Sequence, residues 1–168
     1  GEAGARISHQ DASDEIGENW QRLSELWRQK QLQYTWLRGL ASRHADFWQV
    51  TGEALDFALN TLGIDRPGLR ERLMDLYLHL GCYPEVPETL HRLQAEGMRL
   101  AILSNGTPAM LAAVVHHSGL ENVFDAVLSV EEVGVFKPHP AVYALACERL
   151  QLAPAAICFL SSNAWDAY

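Results

Sequence analysis

The residues best suited to chemistry stand near the end of the sequence. Four apolar residues at 157–160 run directly into the polar segment Ser161-Ser162-Asn163-Ala164-Trp165-Asp166. Asp166 could act as a general base, with Ser161 orienting it and Asn163 supplying an amide donor. Because an open parallel sheet presents its site at the carboxyl ends of its strands, this segment is predicted to form part of a site. The alternative is an exposed loop with a surface carboxylate, in which Trp165 only packs.

Two other loops and one helix carry polar groups of interest. Ser104-Asn105-Gly106-Thr107 precedes a predicted helix, so its hydroxyl and backbone N–H groups could hold a carboxylate or phosphate; an ordinary capped turn explains the same residues. Pro138 holds Lys137 in an extended loop, where its ammonium could keep a nearby carboxylate ionised. A solvated lysine is the alternative. Arg28 could contact an anion, or lie on a helix surface as most arginines do.

Strands that alternate with helices must position these loops in the second half of the chain. Apolar runs at 100–103, 126–130 and 156–160 predict strands. The intervening helices are predicted to begin at Pro87, Pro108 and Pro140, because proline is favoured at the first helical position. The alternation predicts a parallel sheet with right-handed crossovers.

The first half of the chain is predicted to be helical. Apolar residues spaced three or four apart indicate a long helix over 20–43. A second helix is predicted to end at Gly63, and a third to run from Pro67 to Gly81. The predicted secondary structure therefore changes near residue 81, from helices alone to alternating strands and helices.

Composition excludes several classes of partner. A chain of 168 residues suits one domain, or a core with an inserted subdomain, and its net charge of −8 argues against nucleic acid and anionic membranes. No run of about 20 apolar residues predicts a membrane helix, and residues 1–10 lack the apolar centre of a signal peptide. We therefore expect a cytoplasmic protein.

The sequence predicts no metal site. Cys82, Cys147 and Cys158 show no CxxC or Cys/His ligand spacing and no disulfide framework. His116 and His117 are not a metal pair, because adjacent residues on a helix do not face one another.

Taken together, the ordered motifs resemble the haloacid dehalogenase superfamily, and specifically the (S)-2-haloacid dehalogenases. The similarity extends from about residue 15 to the end of the sequence, and the order and spacing of the motifs make it specific. The motifs are Leu26-Trp27-Arg28-Gln29-Lys30-Gln31 with Tyr34-Thr35-Trp36-Leu37-Arg38, Tyr83-Pro84-Glu85-Val86-Pro87, Ala101-Ile102-Leu103-Ser104-Asn105-Gly106, Phe136-Lys137-Pro138, and Ser161-Ser162-Asn163-Ala164-Trp165-Asp166.

The resemblance implies an α/β fold, with a Rossmann-like parallel sheet core and an inserted helical cap. On this sequence it implies a polar lead-in over 1–14, the helical cap over 15–80 and a partial core over 81–168. It implies hydrolysis of (S)-2-haloacids to (R)-2-hydroxy acids without metal or cofactor. An aspartate attacks C2, displaces halide with inversion, and forms an ester that water hydrolyses. A homodimer is also implied.

The resemblance also implies a role for each matching residue. Ser104 and Asn105 would hold the substrate carboxylate, and Lys137 would support the nucleophile. Asp166, oriented by Ser161, would activate the hydrolytic water. The remaining implied site residues are Arg28 and Asn163, which would face the departing halide, Gln29, Leu32, Phe47 and Trp165, which would line the pocket, and Tyr143, which would lie near the site.

The chain departs from the family pattern at the nucleophile. The family carries it in an apolar first strand that ends in a motif like Phe-Asp-x-Tyr-Gly-Thr, and neither Asp11 nor Asp14 has such surroundings. The family also continues beyond the loop at Asp166. We therefore expect a fragment of a longer dehalogenase that is inactive as printed. With two apolar strand edges left unpaired, it is also expected to be unstable or prone to aggregate.

Two other functions remain open. A magnesium-dependent phosphatase of the same superfamily needs oxygen ligands that include carboxylates, usually with an acidic residue early in the last loop. This chain has Ser161-Ser162-Asn163 there, and Asp166 alone makes a poor magnesium site. A non-catalytic relic that binds small carboxylates is the other alternative.

Overall fold

The computed structural model describes residues 16–167, so the predicted lead-in at 1–14, with Asp11 and Asp14, lies outside the described residues. Helices come first along the chain and strands follow. In chain order the main elements are α1 (Trp20–Leu40), α2 (Phe47–Leu62), α3 (Leu69–Leu76), α4 (Val86–Ala95), β1 (Ala101–Ser104), α5 (Pro108–His117), β2 (Ala126–Ser129), α6 (Pro140–Leu150) and α7 (Ala164–Ala167).

Helices α1 to α3 form a well-packed helical part. The carboxylate of Asp46 caps α2 by accepting from the Gln49 backbone N–H at 2.8 Å, and Gly63 ends the helix in the left-handed conformation. Helix α3 ends at Leu76, earlier than predicted, and the chain continues irregularly to α4. Apolar side chains of these helices, together with Ile16 that precedes them, make one buried cluster: Ile16, Trp20, Leu23, Trp27, Ala54, Leu55, Ala58, Leu59, Leu69, Leu73 and Met74.

The α/β part contains a parallel pair of strands. Strand β1 pairs with β2 in register from Ala101 opposite Ala126 to Ser104 opposite Ser129. Helix α5 connects them, and the Thr107 hydroxyl caps it by accepting from the Met110 N–H at 3.2 Å. The predicted α/β fold with a parallel sheet is confirmed. None of the helices within residues 16–167 has both the length and the apolar character needed to cross a bilayer.

The strand predicted at 156–160 is wrong. Pro154–Ala156 is a short 3-10 turn, and residues 157–160 have no ladder partner in the described part of the chain. An apolar run forms a strand only where a neighbouring strand can accept its backbone hydrogen bonds, and β1 is paired to β2 alone among residues 16–167. As a result, 38% of Phe159 and 87% of Leu160 are exposed.

A smaller apolar cluster joins the two parts of the molecule. Val50 of α2 packs with Val130, Phe136 and Val142 of the α/β part, and all four side chains are buried. Phe47 and Leu103 flank this cluster. The first turns of α2 are thereby fixed beside the carboxyl ends of β1 and β2, where the predicted site residues lie.

Candidate active site

A cleft of about 580 Å³ separates α1 from the carboxyl end of β1 and the loop that precedes α7. Most of the predicted site residues line it: Arg28, Leu32, Phe47, Ser104, Asn105, Lys137, Asn163, Trp165 and Asp166. Its volume lies in the range of small-molecule sites. Residues far apart in the sequence are thus brought to a single concave surface.

Asp166 is the centre of the polar contacts in this cleft. The Lys137 ammonium donates to Asp166 Oδ2 at 3.0 Å, and the Ser161 hydroxyl donates to the same oxygen at 2.9 Å. The Tyr143 hydroxyl donates to Asp166 Oδ1 at 2.6 Å. The side chains of Lys137 and Asp166 are 9% and 5% exposed, so this ion pair is largely removed from water. We call Lys137, Tyr143, Ser161 and Asp166 the Asp166 corner.

The surroundings of Asp166 favour its ionised form. Burial by itself raises the pKa of the Asp166 carboxyl, but hydrogen bonds from Tyr143, Lys137 and Ser161, with the charge of Lys137, lower it below its usual value. The pKa of the Tyr143 phenol is raised, first by burial and then by its hydrogen bond to the Asp166 carboxylate. Asp166 is therefore an anion, and Tyr143 a neutral donor, at neutral pH.

The loops after β1 and β2 are tied together by side chains. Asn105 Oδ1 accepts from the Lys137 backbone N–H at 3.0 Å, which directs the amide nitrogen of Asn105 as the remaining donor. The Ser129 hydroxyl donates to the Gly106 carbonyl at 2.7 Å, and Ser104 Oγ accepts from the Gly106 N–H at 3.1 Å. These bonds fix the Ser104–Asn105 turn next to Lys137 without closing it to a ligand.

The opposite wall of the cleft comes from α1. Arg28 Nη2 donates to Asn163 Oδ1 at 2.8 Å, across the cleft from helix to loop. The rings of Trp36 and Trp165 meet edge to face with centroids 5.5 Å apart. The Arg28 and Trp36 contacts thus hold α1 against the loop that carries Asp166.

The structure does not bring Gln29 to the cleft. Its side chain is exposed and does not line the cavity, because one residue along a helix turns by about 100° from Arg28. Gln31 lies on the correct face and was missed; its amide donates to Thr51 Oγ1 at 2.8 Å and to the Tyr77 hydroxyl at 3.3 Å. The three-residue spacing from Arg28 was the signal that could have identified Gln31.

Tyr143 and Ser161 reach the cleft only through Asp166. Neither lines the cavity, but each donates to one of the two Asp166 oxygens. Trp27 also lines the cleft, and its Nε1 donates to the Thr51 carbonyl at 2.9 Å. The other lining residues that were missed are Trp20, Ser24, Tyr77, Leu80, Leu103 and Ser162.

The charge at Asp166 is balanced by a lysine. Among residues 16–167, no group of three or more His, Cys, Asp or Glu side chains is placed to hold a metal ion. Within the same described range, Asp166 is the one carboxylate that lines the cleft. The arrangement therefore suits an anionic ligand that meets Arg28, Lys137 and neutral donors, beside one ionised carboxylate.

Comparison with known proteins identifies close relatives. Residues 3–168 match the family model described as haloacid dehalogenase-like hydrolase. The chain is 49% identical over 155 residues to (S)-2-haloacid dehalogenase 4A of Burkholderia cepacia, covering 92% of this chain and 67% of that protein. It is 48% identical to (S)-2-haloacid dehalogenase 1 of Pseudomonas sp. strain CBS-3, with 90% and 67% covered. The chain thus spans about two thirds of the length of these relatives.

Solved structures agree with the sequence relatives. An L-2-haloacid dehalogenase from Xanthobacter autotrophicus with chloropropionic acid covalently bound superposes with a TM-score of 0.87 at 42% identity, covering 95% of this chain and 65% of that one. A second dehalogenase structure gives a TM-score of 0.90 at 47% identity, with 98% and 71% covered.

Proposed function

The chain belongs to the haloacid dehalogenase-like hydrolases, in the group of the (S)-2-haloacid dehalogenases, and from this membership we propose the chemistry of its cleft. The proposed reaction is hydrolytic dehalogenation of an (S)-2-haloacid to the (R)-2-hydroxy acid through an aspartyl ester. The observation that carries the proposal is the Asp166 corner: a buried carboxylate, held ionised by Lys137, Ser161 and Tyr143, at the floor of a cleft lined by Arg28.

The substrate carboxylate is proposed to bind at the Ser104–Asn105 turn. The Asn105 carbonyl is already engaged by the Lys137 backbone, so its amide nitrogen is the end available to an anion. The Ser104 hydroxyl keeps its proton for donation, since its oxygen accepts from Gly106. Both donors lie beside Lys137, whose charge attracts a carboxylate.

The halide is proposed to leave toward Arg28 and Asn163. Displacement at C2 transfers the electron pair of the carbon–halogen bond to the halide, so donors are needed where that charge develops. Arg28 supplies a permanent positive charge, and its hydrogen bond to Asn163 Oδ1 directs the Asn163 amide nitrogen as a second donor. Leu32, Phe47 and Trp165 supply apolar wall for the substrate carbon chain.

Asp166 is proposed to activate the water that hydrolyses the ester. Hydrogen bonds from three donors depress the pKa of Asp166, which makes the carboxylate a weak base. When the Lys137 ammonium instead faces the attacking aspartate, Asp166 loses a cationic donor that lowers its pKa, and its basicity rises. The attacking aspartate is the group that the described cleft residues do not supply, since Asp166 is the one carboxylate lining the cleft within 16–167.

The test adds the attacking aspartate that the described cleft residues do not supply. A family-type first strand and C-terminal tail are grafted onto the chain, and halide release from L-2-chloropropionate is measured with and without EDTA. Sustained release in both conditions is expected. Loss of turnover on adding EDTA would favour the magnesium-dependent phosphatase chemistry, and no release in either condition would favour the carboxylate-binding relic.

An Asp166→Asn variant of the grafted chain separates the two chemical steps. Ester formation does not need Asp166, so one equivalent of halide should be released at once. Steady-state release should then fall about 10³-fold, because a general base contributes roughly 10²–10⁴. The Gln29→Ala variant is the matched control and should keep full turnover. Equal loss of the initial release in Asp166→Asn would contradict the proposed role.

Three broader features are also proposed. A division into a cap over 15–80 and a core over 81–168 is supported by the apolar cluster that lies wholly between Ile16 and Met74.

A homodimer is supported by Leu37 and Leu40 of α1, which are 52% and 85% exposed. A reducing, cytoplasmic location is supported by free cysteines at 82, 147 and 158. Light scattering at several concentrations tests the dimer, which should give twice the mass of one chain.

A further inference from the structure

Two histidines meet where the helical part joins the α/β part. His79 lies three residues beyond the end of α3, and His117 is the last residue of α5. Their ring centroids are 4.7 Å apart, and the ring planes are nearly perpendicular at 88°. The sequence places His117 beside His116, but the ring that faces it comes from the connection before α4.

The hydrogen bonds of both rings fix the tautomer. His79 Nδ1 lies 2.9 Å from the Asp75 carbonyl oxygen, and His117 Nδ1 lies 3.1 Å from the Ala113 carbonyl oxygen. A carbonyl oxygen can only accept, so each Nδ1 carries the hydrogen and each Nε2 keeps its lone pair. Histidines that bind metals show this arrangement, in which the other ring nitrogen donates to a backbone carbonyl.

The spacing of the rings matches that of two ligands on one ion. Metal–nitrogen bonds of about 2.0–2.1 Å at an angle between 90° and tetrahedral place two imidazole centres roughly 4.5–5 Å apart. We propose that His79 and His117 form a two-histidine site for a divalent transition ion that prefers imidazole, such as Ni²⁺, Cu²⁺ or Zn²⁺.

The composition of the site sets its strength and selectivity. Since no group of three or more candidate ligands is placed around an ion in residues 16–167, water completes the coordination shell and binding is reversible. The Asp75 carboxylate, 3.3 Å from His79 Nδ1, adds negative charge nearby. Mg²⁺ is excluded by the nitrogen ligands, since it prefers oxygen.

A bound ion at this place would act on the cleft. His79 precedes Leu80, which lines the cleft, and the irregular connection from α3 to α4 links the helical part to the α/β part. A metal bridge from His79 to His117 ties that connection to α5. The site is therefore a clamp on the junction between the two parts, separate from the chemistry at Asp166.

The test measures binding of the metal alone to the full chain. Calorimetry with NiCl₂ should show one ion per chain, and His79→Ala and His117→Ala should each weaken Ni²⁺ affinity at least about tenfold. The double variant should show no measurable Ni²⁺ binding, and His91→Ala, on the exposed face of α4, should bind as the original chain does. Circular dichroism of each variant checks that the helices remain.

Nuclear magnetic resonance locates the ion independently of affinity. Ni²⁺ should broaden the ring signals of His79 and His117 before those of His91, while MgCl₂ at the same concentration should leave all of them unchanged. Equal weakening by His91→Ala, or binding that persists in the His79→Ala, His117→Ala double variant, would overturn the site. These measurements involve no turnover, so they succeed or fail independently of the proposed dehalogenation.

Discussion

The helical part and the Asp166 corner are held together by opposite means. Fully buried apolar side chains such as Leu23, Leu55 and Leu73 interlock in the helical part. Around Asp166 the chain leaves Phe159 and Leu160 partly or largely exposed, yet the carboxylate itself is 5% exposed and accepts three charged or polar donors. Apolar burial fixes the scaffold of the cleft, while charge-assisted hydrogen bonds fix the groups to which we assign the proposed chemistry.

The largest effect is expected from Lys137→Met, which should destabilise the Asp166 corner and leave the helical part unchanged. Removing one partner of a buried ion pair typically costs about 3–5 kcal/mol, because the other charge is left unpaired. Hydrogen exchange of the Asp166 amide, which donates to the Asn163 carbonyl at 3.0 Å, should accelerate by the corresponding factor. The amide of Leu55 in α2 should exchange as before.

The matched control for that change is Lys30→Met. Lys30 of α1 lies over the Phe57 ring, and its ammonium donates to Gln33 Oε1 at 2.8 Å. Removing the Lys30 ammonium should change the free energy of amide exchange by less than about 0.5 kcal/mol, both in the helical part and at Asp166. If Lys137→Met accelerated exchange equally at Leu55 and Asp166, the two regions would be one cooperative unit.

Two leucine-to-alanine substitutions test how much apolar burial contributes in the two regions. Leu55→Ala should cost about 3 kcal/mol, within the 2–5 kcal/mol known for fully buried leucines, because it opens a cavity between α1 and α2. Leu160→Ala removes a side chain that is 87% exposed and should change stability by less than about 0.5 kcal/mol. Urea denaturation followed by circular dichroism measures both, and similar costs would mean that 157–160 is packed in solution.

The sequence predicted the elements whose signals are local. The cap at Thr107, the left-handed end at Gly63 and prolines at the first turns mark helices by short-range geometry, and these helices formed close to where they were expected. The run at 156–160 failed for the opposite reason. A strand depends on a partner elsewhere in the chain, and apolar composition alone does not supply one.

Part of the candidate site could be predicted from residue type and position in a loop. Lys137, Ser161 and Asp166 were named from the loops that hold them, and the structure places their side chains in contact. The sequence could not show which side chains of α1 point into the cleft. Gln29 and Gln31 are the same residue type two positions apart, and only the rotation of α1 decides which one enters the cleft.

Acid titration sharpens the contrast at the Asp166 corner. The Asp166 pKa is lower in the folded chain than the roughly 3.9 of an unfolded aspartate, so the unfolded state binds more protons in acid. The stability that this carboxylate contributes is therefore present above about pH 4 and lost as the pH falls through the folded pKa. Carbon-13 resonances of the carboxyl group follow the titration directly.

Tyr143→Phe should raise the pH at which the stability contributed by Asp166 is lost. It removes the 2.6 Å hydrogen bond to Asp166 Oδ1, raises the pKa of the carboxyl toward its ordinary value, and costs roughly 1.5–3 kcal/mol, as expected for a bond to a charged group. The control is Tyr34→Phe, whose ring packs against the apolar clusters. An unchanged Asp166 titration in Tyr143→Phe would show that Lys137 and Ser161 alone set its charge.

The smallest expected effect tests a buried polar contact within the helical part. Gln31 is buried on the cleft face of α1 and bonds to Thr51 and Tyr77, so Gln31→Ala should cost about 1 kcal/mol in urea denaturation. Gln29→Ala, on the exposed face of the same helix, should stay within about 0.5 kcal/mol. Equal effects would mean that α1 rotates in solution relative to the cleft. A larger cost at Gln31 alone would show that this face of α1 is turned toward the cleft, the side on which Arg28 bonds to Asn163.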